Sequence, residues 1–171
     1  MTVQQYNEYG KFIENTLRLE SYPLAIKWFD NLDDIPKDAI FPKRDLGHHM
    51  AFCQAKAMSR MRGATIALAK DDHWCWNPLI AFGMVDCTPG TEYFDIIKKY
   101  IGVPQEKAEQ FLADFPRLEL GKCKAVVTSP LYKCEFEPDI IVIYSNTMQL
   151  NTMLRAVKSM TGTYVRSEFD G

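Results

Sequence analysis

The chain has no C-x-x-C pair, and its 171 residues hold only three histidines and five cysteines. Strong zinc signatures rest on two tight cysteine pairs, so no zinc-finger spacing is present. No glycine-rich phosphate loop occurs either: Gly47, Gly63 and Gly83 stand too far apart for G-x-G-x-x-G or a P-loop. Around Ser59, Ser129 and Ser145 there is no G-x-S-x-G elbow. A nicotinamide, ATP or serine-hydrolase enzyme is therefore unsupported. Basic residues are scattered, with no run longer than a pair such as Lys98-Lys99, and the formal charge is -2. Nucleic-acid binding needs a clustered basic face, so no nucleic-acid partner is expected. No apolar run approaches membrane-spanning length. The N-terminus MTVQQYNEYGKF lacks a basic segment followed by an apolar core. An odd number of cysteines without such a signal predicts reduced thiols in a cytoplasm.

What the chain does have is globular material. Apolar residues make up 47% and charged residues 25%, close to the average of folded domains. The length suits one domain spanning 1–171, which buries about two thirds of its unfolded surface.

Periodicity predicts an amphipathic helix over 3–19, weakened at Gly10 and broken by Ser21-Tyr22-Pro23. Leu24–Phe29 is nearly continuously apolar, as a central strand covered on both faces would be. Residues 31–45 lack a period and read as a surface loop. A helix is expected over 50–61, with Cys53, Ala57 and Met61 on its apolar face. A strand over 64–69 and a solvated turn at Lys70-Asp71-Asp72 follow. His73–Trp76 is a strand end or a loop. Asn77 caps a short helix with Pro78 at its first position. Two helices, 91–101 and 105–115, form a hairpin laid over the sheet. Strands are expected over 124–129 and 139–144, the latter the strongest in the chain. A helix follows over 147–160 with Leu150, Met153, Leu154 and Val157 on one face. Thr163–Val165 reads as a last short strand. The fold class is α/β or α+β: one mixed sheet of four to five strands covered by helices.

The stretch Gly47–Cys87 concentrates the chemistry, with all three histidines, three of the five cysteines and two of the three tryptophans. Cys53, His73, Cys75 and Cys87 are soft or borderline ligands suited to a transition metal or an iron–sulfur cluster. In an extended segment His73 and Cys75 share a face, so a helix and a strand end offer four ligands to one point. Against this, a free cysteine usually packs as a small hydrophobe, and Cys53 on an apolar helix face fits that description best. A reactive thiol paired with His73 is a second reading. A third is an apolar pocket for a small molecule, lined by Trp74 and Trp76. Lys27, the one charge in its strand, either supplies a cation to a pocket or runs its stem along apolar surface to solvent. The second is the usual fate of such a lysine.

Four segments in this order resemble one family. They are Tyr22-Pro23-Leu24-Ala25-Ile26-Lys27, Cys53-Gln54 with Gly63, His73-x-Cys75, and Pro138-Asp139-Ile140-Ile141-Val142-Ile143-Tyr144. They resemble the uncharacterised ArCR family, domain of unknown function 169, from about Leu17 to Gly162. The resemblance implies a prokaryotic-type cytoplasmic protein and no particular reaction. Members of the family usually extend further, which makes this chain a shortened member or a fragment. His48, His49, Trp74 and Trp76 lie outside the resemblance. The sequence thus predicts a domain binding a small ligand or a metal. An enzyme with a cysteine- or metal-centred redox site, or a structural subunit of a larger complex, is the alternative, and a homo-oligomer is left open.

Overall fold

The computed structural model describes residues 1–167. Helix α1 spans Val3–Leu17. Thr2 and Gln5 close a capping box at its start, each satisfying a backbone N–H that the first turn leaves without a partner. It ends two residues earlier than its periodicity suggests, because Arg18 turns into the left-handed region at φ 51°. Strand β1 (Leu24–Phe29) follows, then α2 (Phe52–Arg62) and β2 (Ile66–Ala69). Three helices come next: α3 (Trp76–Ala81), α4 (Glu92–Ile101) and α5 (Gln105–Asp114). Strands β3 (Ala125–Pro130) and β4 (Ile140–Val142) and helix α6 (Thr147–Thr161) complete the chain.

The four strands form one sheet in the order β2-β3-β1-β4, so the α/β class with helices over a sheet holds. All three strand pairs are antiparallel. Among the described residues, parallel pairing is confined to two isolated bridges, Ile40 with Ile66 and Met50 with His73. Thr163–Val165 forms no strand.

Alternation along β1 and β3 sorts their side chains onto two covered faces. Ala25, Phe29, Ala125 and Val127 face a core closed by Tyr6 of α1, Ile35, Ala39 and Phe136. Ile26, Val126, Ile66 and Leu68 face α2 and Met50. Gly10 is buried where α1 meets the backbone of Leu131 and Tyr132. A Cβ there would lie 2.8 Å from the Tyr132 backbone nitrogen. The glycine that costs α1 some helix propensity is therefore what lets it approach the chain.

Helix α2 reaches the sheet through small residues too, Ala55 and Ser59, both fully buried. The Ser59 hydroxyl donates to the Thr128 carbonyl at 3.1 Å. This rotates the helix away from the expected face: Cys53 and Met61 are exposed. A third cluster stands apart from the sheet. Leu79, Ile80, Phe94, Ile97, Ala108 and Leu112 join α3, α4 and α5 into a helical lobe. The α4–α5 hairpin therefore closes on α3 rather than lying over the strands.

Candidate functional site

The turn at Lys70–Asp72 organises the region around His73. Asp72 is buried, not solvated. Its carboxylate accepts the backbone N–H groups of Lys43 at 2.9 Å and Ala69 at 3.1 Å. That pins the 42–46 turn against the end of β2. The backbone of Met50 then pairs on both sides of the histidine, donating to the Asp72 carbonyl and accepting from Trp74 N–H. His73 is held inward with 6% of its surface exposed. Its ring lies 6.2 Å from that of Phe82, which also meets Trp28 and Phe52 edge-on. Neither ring nitrogen of His73 has a hydrogen-bond partner, and neither does the indole N–H of Trp28. Burial pulls the His73 pKa down to about 4, with the Leu68 backbone opposing it in part. The imidazole is neutral at pH 7 and sits in an aromatic setting.

The other predicted ligands do not gather around it. Cys53 is exposed on the first turn of α2, Cys75 caps α3 half-buried, and Cys87 is buried in the helical lobe. Among the described residues no three His, Cys, Asp or Glu side chains stand close enough to hold a metal ion. The reason is visible in the fold. The buried Ala55–Ser59 face of α2 turns Cys53 outward, while α3 carries the chain from Cys75 into a separate core before Cys87. The expected cap Asn77 is instead the second residue of α3, after the N-cap Cys75. Trp74 is 77% exposed. Trp76 is half-buried and packs edge-on against Tyr100 at 5.1 Å, so the two tryptophans sit in different surroundings.

Two clefts flank the segment that links α5 to β3. One, of about 340 Å³, is lined by Ile80, Val85, Cys87, Arg117 and Leu118 among others. The second, of about 350 Å³, includes Lys27, Trp28, Asp34, Leu118 and Cys123. Leu118 borders both. The segment is fastened to the helical lobe by backbone bonds from Leu118 to Ala81 and from Gly121 to Gly83, at 2.9 and 2.8 Å. Gly83 makes this possible. Its φ is +62°, and a Cβ there would lie 2.5 Å from the Glu119 carbonyl oxygen.

In the first cleft an Arg117 guanidinium N–H donates to the Cys87 sulfur at 3.3 Å. Burial raises the Cys87 pKa more than the Arg117 charge lowers it, so the sulfur is a thiol at neutral pH. Arg117 forms no ion pair with any described carboxylate. In the second cleft Lys27 is committed elsewhere: its amine donates to the Glu137 carbonyl at 3.2 Å and lies 3.8 Å from Asp139. The Asp139 carboxylate also accepts the backbone N–H of Trp28 at 2.9 Å. Lys27 thus braces the start of β4 instead of running straight to solvent. Arg117 and Leu118 were not foreseeable from the sequence. They follow Pro116 in a loop with no period, and only the folded chain brings them to Cys87.

These features define an α/β domain in which a four-stranded antiparallel sheet and a small helical lobe enclose clefts along a connecting segment. The chain belongs to the uncharacterised ArCR family, domain of unknown function 169, whose model matches residues 12–171. No curated protein and no solved structure matches it. No helix among the described residues is long and apolar enough to cross a membrane.

Proposed function

We propose that this chain is a small-molecule-binding domain whose site is the cleft between Cys87 and Arg117. The observation that carries the reading is a guanidinium with no ion-pair partner among the described residues, at the wall of a mostly apolar cleft of about 340 Å³ whose rim also holds Asp86 and the Lys122-paired Glu119. Ligand pockets are mostly apolar, with a few polar groups that fix orientation, and this volume falls at the small end of their range, about 300–1,000 Å³. Arginine binds carboxylates and phosphates through its planar fork of N–H donors. The ligand class is accordingly a small carboxylate or phosphate ester with an apolar body, which Ile80, Val85 and Leu118 would cover. A protonated Cys87 serves here as a wall and a weak acceptor, since nucleophilic cysteines act as thiolates. The five unpaired cysteines fit a reducing cytoplasm.

Thermal-shift and calorimetric titration with a panel of small carboxylates and phosphate monoesters tests this, with matched neutral amides as controls. At least one anion should raise Tm while its amide does not. Arg117→Ala should weaken that anion roughly tenfold to a hundredfold, the loss expected for a charge-assisted hydrogen bond. Failure of every anion to bind, or equal binding to Arg117→Ala, would refute it.

A further inference from the structure

The C-terminal unit of the fold is built but not covered. Helix α6 is capped at both ends, by an Asn146–Gln149 capping box and by Gly162 in the left-handed conformation. Leu150, Met153, Leu154, Val157 and Met160 recur along one side at helical spacing. Yet no α6 residue is buried, and none enters a core cluster. Val157 is 42% and Met160 86% exposed. Among the described residues the side-chain hydrogen bonds from α6 to the rest of the fold come from Gln149, whose amide donates to the carbonyls of Leu17 and Arg18. Isolated helices of about 12–15 residues are marginal in water, and most helices in proteins are stabilised by packing of an apolar face.

The strand before it is equally open. β4 pairs with β1 on one side only, and Ile140, Ile141 and Tyr144 are exposed. The opposite edge of the sheet is treated differently. There the backbone of Ile40 donates to Thr65 and accepts from Ala67, both at 2.9 Å, which covers the edge of β2. Among the described residues nothing does this for β4.

We infer that a second copy of this chain covers the β4–α6 face, forming a two-fold dimer in which the β4 edges pair antiparallel. Three observations select this occupant. An open strand edge needs backbone donors and acceptors, which another strand supplies and a lipid surface does not. An antiparallel pair of identical edges is self-complementary, as a two-fold interface requires. The surface is also of the right size. Ile140 on one face of β4, Ile141 on the other, Tyr144 beneath the Arg60 guanidinium, and Leu150, Val157 and Met160 of α6 are all exposed, and a sheet continued across the β4 edge meets both faces. At on the order of 80 Å² each they offer roughly 500 Å² of apolar surface, matching the ~60% apolar share of the ~800 Å² that one partner contributes to a standard interface. The segment from Ile140 to Ser167 has no acidic residue, and its helical charges Arg155 and Lys158 lie off the apolar stripe. Like charges therefore need not meet when two stripes pack.

Light scattering coupled to gel filtration, and sedimentation velocity, decide this on the full chain. Wild type should be a dimer at micromolar concentration. Val157→Asp and, separately, Ile141→Lys should each weaken it about a hundredfold, the loss expected at an interface hot spot. Both sites are exposed, so unchanged circular dichroism should accompany the monomer. Met148→Asp, at an exposed position off the stripe, should leave the dimer intact. A wild-type monomer overturns the inference, and more pointedly so if that monomer binds phosphatidylcholine–phosphatidylserine vesicles through α6. A dimer indifferent to both disruptive variants overturns it too.

Discussion

Strands β1 and β4 are adjacent in the sheet and similarly apolar, LAIKWF against IIV, but they meet opposite surroundings. β1 lies between two strands with Leu24, Ala25, Ile26 and Phe29 buried, whereas β4 lies at the edge with Ile140 and Ile141 exposed. The helices repeat the contrast. α2 has a poor apolar stripe and is bound tightly to the sheet through Ala55 and Ser59. α6 has a regular stripe and touches little. Hydrophobicity along the chain therefore reports a capacity for burial. What meets each side chain decides whether that capacity is used within one copy of the chain.

Substitutions at the two ends of this contrast should differ most. Leu24→Ala removes a fully buried side chain and should cost about 2–5 kcal/mol, lowering Tm by roughly 10 °C in a chain of this size. Val157→Ala should cost the isolated chain less than about 0.5 kcal/mol. Thermal melts at low protein concentration check the pair, and equal losses would break the comparison.

The pH dependence sharpens it at His73. The histidine is neutral in the fold with a pKa near 4, against about 6.5 when unfolded. Its unfolded form binds the extra proton first, so the associated stability is present above pH 6.5 and lost as pH falls toward 4. The loss is of order 3 kcal/mol across that window. Urea melts at successive pH values should display this slope, and His73→Leu should flatten it. The variant should also be no less stable at pH 7 than wild type by more than about 1 kcal/mol, because it removes two unpartnered buried nitrogens.

Gly10→Ala is a smaller perturbation with an informative sign. Helix propensity alone predicts a gain of about 1 kcal/mol. The 2.8 Å approach to the Tyr132 backbone nitrogen predicts a net loss of about 1–2 kcal/mol instead. A stabilised variant would mean that α1 is not seated as closely as described. The mildest probe is thiol labelling. Cys53 should react first, and Cys123 slowest, because burial raises its thiol to about 12.

Much of the fold was legible because it is local. Apolar runs marked β1 and β3, and Gly63, Gly102 and Gly162 marked ends where helices do stop. The inward face of α2 was not legible, since it consists of an alanine and a serine whose value lies in their small size and in the Thr128 carbonyl across from them. β4 looked like the strongest strand because its apolar run continues to Tyr144, but pairing covers only Ile140–Val142. At the site, the sequence drew attention to Cys87 and Lys27, and both border clefts. It also joined Cys53, His73 and Cys75 to Cys87 by proximity along the chain, which α2 and α3 undo. Arg117 escaped notice because its meaning depends on a cysteine thirty residues away.

Amide hydrogen exchange followed as a function of protein concentration tests most directly the claim that β4 and α6 lie open on a single copy and are completed by a second. Exchange in β1 and β3 should be slow and independent of concentration. Exchange in α6 and at the β4 edge should be fast at nanomolar concentration and slow markedly on passing into the micromolar range. Concentration-independent exchange in α6, whether fast or slow, would contradict the account.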